Sequence, residues 1–310
     1  MTIPRGLRTA LAVAGVLALA ACGVRGAGVS DGADGSSGAP ASTTPGPLPA
    51  ALTLEVEVAQ ARSDRVARVV ELQVRNTGPV DVRVTQARLT SAFVAGTSQE
   101  GREVGADRMR RLRVPLGPAV CTPGLGDDPA ARVELDVTTA DGRAGTLVVT
   151  PTDETDDLRR IHGEDCATAA VAAGLRLSLA DGLVVRDVAG TPVADVTLLV
   201  EPVPGGPHVR IVSVRATTLL RPAGATGQWV VDVDSAAPPP DGRLTLVTVP
   251  ARCDLHAIAE DKRGTVLGVQ AFVDGVEQPL VHVAASDALR GALYDFVREA
   301  CGQAPDTRTD

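Results

Sequence analysis

The sequence has 310 residues, which is room for about two domains of ordinary size. It carries 30 basic and 38 acidic residues, a formal net charge of -8, and only five aromatic side chains. A negative charge repels nucleic-acid phosphates, and few aromatic rings are available to stack on single-stranded bases, so we expect no nucleic-acid binding. With 44% hydrophobic residues, the chain can still bury substantial cores.

Residues 1–21 have the composition of an export signal. Two arginines precede a short apolar run that ends at Ala21 and is too short to span a bilayer. The run leads into Leu19-Ala20-Ala21-Cys22, and this segment resembles the lipobox of bacterial lipoproteins. The resemblance implies cleavage before Cys22, attachment of lipid to its thiol, and anchoring to the outer face of the cell membrane. The alternative is a secreted protein cut nearby, in which Cys22 has no role.

Residues 22–50 begin with Cys22 and continue with Gly, Ser, Ala, Thr and Pro and almost no large apolar side chains. Such a segment buries too little apolar surface to offset the entropy lost on ordering. We therefore predict a flexible linker between the lipid and the folded part of the chain. Residues 304–310 are predicted to be a disordered tail.

The folded region is predicted to be a duplication, with copies at residues 51–170 and 171–303. Short matches recur in the same order along both copies, with an offset that only rises, as small loop insertions would produce. They include Pro118-Ala119-x-Cys121 with Pro250-Ala251-x-Cys253, and Glu164-x-Cys166 with Glu299-x-Cys301. Beyond the leader, the chain resembles exported lipoproteins of high-GC bacteria that have no assigned activity, so this resemblance implies none.

Each copy has the pattern of a mainly β domain. Val70, Leu72 and Val74 alternate with polar residues, as in a strand with one buried face, and Asp141-Gly142 is a hairpin signal. Several short strands at this spacing predict a β-sandwich of immunoglobulin-like architecture. A short helix should close each copy, over 156–165 in the first and after the N-cap Ser286 in the second.

Four cysteines remain once Cys22 is assigned to lipid, and four allow three pairings. Because each copy contains two of them, the duplication favours Cys121 with Cys166 and Cys253 with Cys301 as structural disulfides in an oxidising compartment. The cysteines lie far apart and no CxxC occurs, so we expect neither a metal site nor a cofactor.

The second copy contains a polar segment that has no equivalent in the first. Where the first copy has mostly small residues after Cys121, residues 254–263 collect a histidine, three acids, a lysine and an arginine. The fold alone does not require such a difference between copies. The candidate binding residues are Asp254, His256, Glu260, Asp261, Lys262 and Arg263. The alternative is a solvated loop whose charges compensate one another.

A second candidate segment is basic, with arginines at 108, 110, 111 and 113. It is interpreted either as an edge strand whose charges prevent aggregation or as a contact for an acidic partner. Neither a HExxH nor a GxSxG motif is present. The sequence therefore predicts a non-enzymatic, lipid-anchored interaction module of the cell envelope, bound to the membrane through Cys22 and to an unidentified envelope protein. The alternatives are a small-solute or metal binding protein that uses residues 254–263, and a cryptic hydrolase.

Overall fold

The computed structural model describes residues 46–224, 227–254 and 263–302. The predicted signal, Cys22, most of the predicted linker and the predicted tail lie outside these residues. The first part of the fold contains β1 Leu54–Ala59, a 3-10 turn Arg62–Asp64, β2 Val69–Asn76, β3 Val82–Thr90, β4 Gly96–Thr97, β5 Arg102–Val104, β6 Met109–Pro115, β7 Arg132–Thr139, β8 Ala144–Val149 and α1 Asp157–Gly174. The second contains β9 Leu175–Leu179, β10 Val184–Val188, β11 Thr191–Pro202, β12 Val209–Arg215, β13 Leu220–Pro222, β14 Gln228–Asp234, β15 Arg243–Pro250, β16 Val266–Val273, β17 Val276–Glu277, β18 Val281–Ala284 and α2 Asp287–Ala300.

The first copy is a sandwich of two antiparallel sheets. One sheet has the order β1-β2-β6, and the other has the order β4-β3-β7-β8, with β5 also paired to β3. The alternation seen in the sequence decides which face of each strand is buried: Val70, Leu72 and Val74 are completely inaccessible to solvent. The predicted hairpin joins β7 to β8, where hydrogen bonds from Arg143 and Thr139 lower the pKa of Asp141 to about 2.

The second copy repeats this arrangement. Strands β10, β11, β15 and β13 form one sheet, with β9 also on β11, and β14, β12, β16 and β17 form the other, with β18 also on β16. Both copies even have an irregularity in register at the same place, between Val84 and Gln86 in β3 and between Ile211 and Ser213 in β12. Since β-bulges are specific structural features rather than accidents, the shared position supports the duplication.

Each sandwich has its own core. The first is built on residues such as Leu72, Leu89 and Leu135, and the second on Leu198, Ile211 and the α2 side chains that include Phe296. The predicted fold class, tandem immunoglobulin-like sandwiches that each have a helix and a disulfide, is confirmed. Among the described residues, no helix is both long and apolar enough to span a membrane.

Helix α1 is longer than the sequence predicted, because it continues beyond Asp165 to Gly174. Asp153 begins it by accepting hydrogen bonds from the backbone amides of Asp157 and Leu158 at 2.8 and 2.9 Å. The helix ends at Gly174, a position at which a side chain would collide with the Pro207 carbonyl oxygen. The position predicted to separate the copies, between residues 170 and 171, therefore lies inside this helix.

Helix α1 contributes to both cores. Leu158 and Ile161, in its first half, belong to the core of the first sandwich. Ala167 and Val171, in its second half, belong to the core of the second sandwich, and β9 begins immediately after Gly174. One helix thus joins the two sandwiches without an intervening linker, and both lie within one compact unit.

The two disulfides have the predicted pairing. Cys121 is bonded to Cys166 and Cys253 to Cys301, so each bridge ties a helix to the loop that follows an equivalent strand, β6 or β15. The predicted N-cap Ser286 accepts a hydrogen bond from the Leu289 amide at 3.2 Å. Both helices are therefore fixed by covalent and polar contacts as well as by packing.

Candidate functional site

The predicted binding segment is only partly described. His256, Glu260, Asp261 and Lys262 lie outside the described residues. Asp254 is exposed and makes an ion pair of 3.1 Å with Arg252. Arg263 lies elsewhere, half-buried in a cleft between the two sandwiches.

We call this depression the cationic cleft. It has a narrow part of about 230 Å³ and an adjoining wider opening of about 680 Å³. The side chains that line both parts are Arg65, Glu164, Arg263 and His282.

Three parts of the fold supply the lining residues. Arg65 follows the 3-10 turn of the first sandwich. His282 is on β18, where the buried neighbours Val281 and Val283 place it on the opposite side of the strand from the core. Helix α1 forms the floor between them and contributes Glu164. The cleft therefore exists only because α1 holds the two sandwiches together.

Two of the arginines around the cleft are compensated by carboxylates of α1. Arg68 binds Asp165 through two nitrogens, including a contact from Nε to Oδ1 at 3.1 Å. Arg160 makes an ion pair with Asp157 and a second one of 3.3 Å with Glu164. Asp157, Arg160 and Glu164 follow one another along one side of α1, at the spacing that brings helical side chains together.

The Asp157 carboxylate is nearly buried at the start of α1. Burial alone would raise its pKa, but hydrogen bonds from the Arg160 and Thr155 side chains and from the Gln60 amide outweigh that effect and lower it. Asp157 therefore stays ionised and fixes Arg160, whose guanidinium also donates to the Gln60 side chain at 2.8 Å. This network positions the part of α1 from which Glu164 faces the cleft.

Arg65 differs from these two arginines. Its Nε is buried and has no hydrogen-bond partner among the described residues. Arg263 lies across the cleft from it, and the pKa of Arg263 is below its ordinary value because burial removes the guanidinium from water and because Arg65 adds a like charge. Both groups remain cationic at neutral pH, since arginine does not lose its proton in proteins. Two positive charges thus converge on one cavity.

His282 lies beside these charges. Its Nδ1 is 3.9 Å from a carboxylate oxygen of Glu164. Burial and then Arg263 lower the pKa of His282, Arg65 and Arg160 lower it further, and Glu164 opposes them. At neutral pH the imidazole is therefore neutral, with one nitrogen that donates and one that accepts.

The hydroxyl of Thr168 also lines the narrow part of the cleft. Thr168 donates its hydroxyl to the Glu164 carbonyl at 2.8 Å instead of to His282. Cys121, Cys166 and His162 bring possible metal ligands within 4.8 Å of one another. However, the two sulfurs are joined in the disulfide, and a thiolate is the form that binds metal.

The basic segment with arginines at 108, 110, 111 and 113 lies on and next to β6, an edge strand of the first sandwich. Arg113 makes an ion pair of 2.7 Å with the buried Asp64, and Arg111 one of 3.5 Å with Glu71. These contacts favour the interpretation as a charged edge strand whose arginines pair with neighbouring acids.

Sequence reasoning found Arg263 but missed Arg65, Arg160, Glu164 and His282. A signal was available, because the repeat offsets place Pro192 opposite Arg65, and the equivalent strand registers place the apolar Val148 opposite His282. Both differences distinguish the copies in the same way as residues 254–263 do. What the offsets could not show is that these positions meet across α1.

No protein-family model matches the chain, and no curated protein matches it in sequence. Among solved structures, Spo0M, a sporulation control protein from Bacillus subtilis, is 13% identical, covers 81% of this chain and 98% of its own, and has a TM-score of 0.22. The YadV chaperone is 13% identical, covers 75% of this chain and 100% of its own, and has a TM-score of 0.21. At such TM-scores these similarities carry no functional argument.

Proposed function

We propose that the protein is a lipid-anchored, non-enzymatic binding module of the cell envelope, which receives an acidic group of its partner in the cationic cleft. Two disulfides agree with an oxidising, extracytoplasmic location. The lipobox-like segment that ends at Cys22 supplies the anchor. The partner is an envelope protein or another molecule that carries the acidic group.

The observation that carries this proposal is Arg65, whose buried Nε has no hydrogen-bond partner among the described residues and which lines the same cavity as Arg263. The molecule as a whole has a net charge of -8, yet it places two guanidinium groups from different sandwiches around one partly buried cavity. A buried donor without a partner lowers stability, and an anion in the cavity would accept a hydrogen bond from it. Charged groups whose pKa values are perturbed in a cleft are typical of functional sites.

Photocrosslinking in intact cells tests the proposal. A photoreactive side chain at Val66, which is 51% exposed and lines the cleft, is expected to capture the partner. The same side chain at Val230, which is 82% exposed and is not among the residues lining the cleft, is the control. Arg65→Gln should abolish capture at position 66, whereas Arg75→Gln, on the exposed part of β2, should preserve it. Equal capture at both positions, or capture that survives Arg65→Gln, would contradict the proposal.

A second candidate function is binding of a small solute. The narrow part of the cleft, about 230 Å³, is below the range of about 300–1,000 Å³ typical of larger ligands. Arg263, a residue of the predicted segment 254–263, also lines this part. Equilibrium dialysis of the full chain against small anions and divalent metal ions separates an anionic solute from a metal ion as the ligand. Retention of an anion alone supports an anionic solute, and retention of metal supports the metal-binding alternative.

A further inference from the structure

We propose that two molecules of this protein pair through strand β10, an edge of the second sandwich, so that one antiparallel sheet continues from one molecule into the other. This inference does not depend on the cationic cleft or on the proposed function.

Strand β10 is an open edge. Within the described part of the chain its only strand neighbour is β11, and all five of its residues are exposed. The exposed fractions of Val184, Val185 and Val188 are 61%, 48% and 45%. An exposed edge strand with apolar side chains is a template for pairing with another strand.

The usual protections of an edge strand are missing from β10. It contains no proline, and its register with β11 has no bulge. Its one basic side chain, Arg186, is held by Asp195 of β11 through two hydrogen bonds of 3.1 Å, from Nε to Oδ2 and from Nη2 to Oδ1. By contrast, the edge strand β6 of the first sandwich carries three arginines. Strand β10 therefore lacks the devices that keep other strands from pairing with an edge.

The first copy has no equivalent of this edge. At the offset that aligns Val66 with Val193, the β11 residues that pair with β10 correspond to residues 64–68. Those residues lie at the end of the 3-10 turn and after it, and not in a strand. Since one copy forms its sandwich without such a strand, the fold alone does not account for β10.

The backbone of β10 presents hydrogen-bonding groups outward. The two-residue turn Ala189-Gly190 joins β10 to β11, and both residues have the positive φ of a tight hairpin turn. Val188 closes this turn, so every second residue back from it directs its backbone groups at β11. Val185 and Asp187 direct theirs away from β11, where a second β10 strand would pair with them.

A two-fold axis allows one register that uses the whole strand. With Arg186 of both molecules at the axis, Val185 lies opposite Asp187 of the other molecule, and these residues exchange backbone hydrogen bonds. Val184 lies opposite Val188 of the other molecule. Each of these pairs occurs twice, as the symmetry requires. The two Arg186 side chains meet at the axis, and the contact of each with Asp195 reduces the repulsion between them.

This self-complementarity is the reason to assign a second molecule as the partner. Antiparallel pairing of Val-Val-Arg-Asp-Val with itself places valine opposite valine at both ends and each acid opposite a valine, so no two acids oppose each other. A pairing of five residues buries little surface, so we expect the association to be reversible and weak. Covalent trapping detects such an association.

Cysteine trapping in membranes that contain the full chain tests the pairing. Arg186→Cys places two thiols opposite each other at the axis, within the Cα separation of about 7 Å that a disulfide allows, so mild oxidation should give a covalent dimer. Val230→Cys, at an exposed position of the edge strand β14, is the control and should stay monomeric. Equal trapping at both positions, or no dimer at position 186, would overturn the proposal.

A mixture of two variants identifies the register. In Val184→Cys alone, or in Val188→Cys alone, the two thiols are separated by about 13 Å along the strands, and neither variant should dimerise. The mixture should give a disulfide-linked heterodimer, because Val184 lies opposite Val188 of the other molecule. Dimers of either single variant in the same yield as the heterodimer would contradict this register.

Proline at position 185 tests the hydrogen bonds between the molecules. The Val185 amide points away from β11, so Val185→Pro removes an intermolecular donor and spares the hairpin. In the Arg186→Cys protein it should abolish the dimer, whereas Val185→Thr, which keeps the amide, should preserve it. A dimer that survives the proline would show that β10 does not pair in this way. Capture of a different protein at position 186, with no dimer, would show that β10 pairs with that protein and that self-pairing is wrong.

Discussion

Two glycines of α1 show how the surroundings of a residue decide its contribution to stability. A methyl group at Gly163 would meet only the Pro279 side chain, at an ordinary 3.7 Å, whereas one at Gly174 would lie 2.2 Å from the Pro207 carbonyl oxygen. Alanine in a helix is favoured over glycine by about 0.5–1 kcal/mol because the unfolded chain has less backbone freedom to lose. Gly163 therefore lowers the stability of α1, while Gly174 permits close packing.

We expect Gly163→Ala to raise the free energy of unfolding by about 0.5–1 kcal/mol. Gly174→Ala, the same substitution in the same helix, should lower it by about 1–3 kcal/mol because the backbone must shift. Urea denaturation of both variants beside the parent measures the two effects. Effects of the same sign would show that the packing around one of these glycines is not as described.

His282 gives the molecule a defined sensitivity to acid. Its folded pKa is below the unfolded value of about 6.5, because burial and then Arg263 disfavour the charged form. Above the unfolded pKa both states are neutral at this site and stability is unaffected. As the pH falls through that value, the unfolded chain takes up a proton that the folded protein does not, so stability is lost until the folded pKa is passed.

His282→Gln is expected to reduce the loss of stability between about pH 6.5 and the folded pKa, by up to about 1.4 kcal/mol per pH unit. Urea denaturation in phosphate-free buffer at a series of pH values tests this. At pH 8 the variant should have the same pH dependence as the parent. An unchanged dependence below pH 6.5 would mean that His282 is protonated as readily in the folded state as in the unfolded one.

Helix α1 is the element that converts two copies of one domain into a single unit. The sequence predicted a helix at this position but not its length. The matches between copies end at Cys166 and Cys301, and nothing in the repeat indicates that the first helix continues. Ala167 and Val171 are small apolar residues whose partners, such as Val281, come from the following copy. Periodicity within one segment cannot reveal a core that another segment supplies.

Features that depend on local or repeated sequence patterns were predicted correctly. Alternation of Val70, Leu72 and Val74 with polar residues fixed the buried face of β2, and Ser286 marked the start of α2. The duplication selected one disulfide pairing out of three. The cationic cleft could not be predicted in the same way, because Arg65 and His282 are far apart in sequence and lie together only once α1 joins both cores.

Removing the Cys121–Cys166 disulfide should loosen both sandwiches. The bridge spans 45 residues, so Cys121→Ser combined with Cys166→Ser is expected to cost about 4 kcal/mol on the chain-entropy model. Because α1 belongs to both cores, hydrogen exchange should accelerate in β1 and in β18 alike.

The matched control removes the Cys253–Cys301 disulfide, which spans 48 residues. A similar loss of stability is expected, but the described packing of α2 is with the second core, so faster exchange should be confined to the second sandwich. Equal patterns of exchange in the two double variants would mean that α1 does not couple the sandwiches.

At the scale of the whole molecule, charge and anchoring are separate features. If the predicted signal is removed, the remaining chain has 28 basic and 38 acidic residues, a net charge of -10. Anionic headgroups would repel such a chain, so electrostatic attraction cannot hold it at the membrane. In the proposed function, the cationic cleft is a local exception to this negative charge that receives one acidic group.

Lipid attached to Cys22 must therefore provide the membrane attachment in the proposed function. We expect Cys22→Ser to leave an unprocessed precursor or to release the protein from the membrane, because no thiol remains to accept lipid. Fractionation of cells followed by mass measurement of the intact protein distinguishes these forms. The unaltered protein should stay in the membrane fraction in high salt, since hydrophobic insertion of acyl chains is not screened as charge pairs are. A Cys22→Ser protein of mature size that still resists extraction would show that another part of the chain holds it at the membrane.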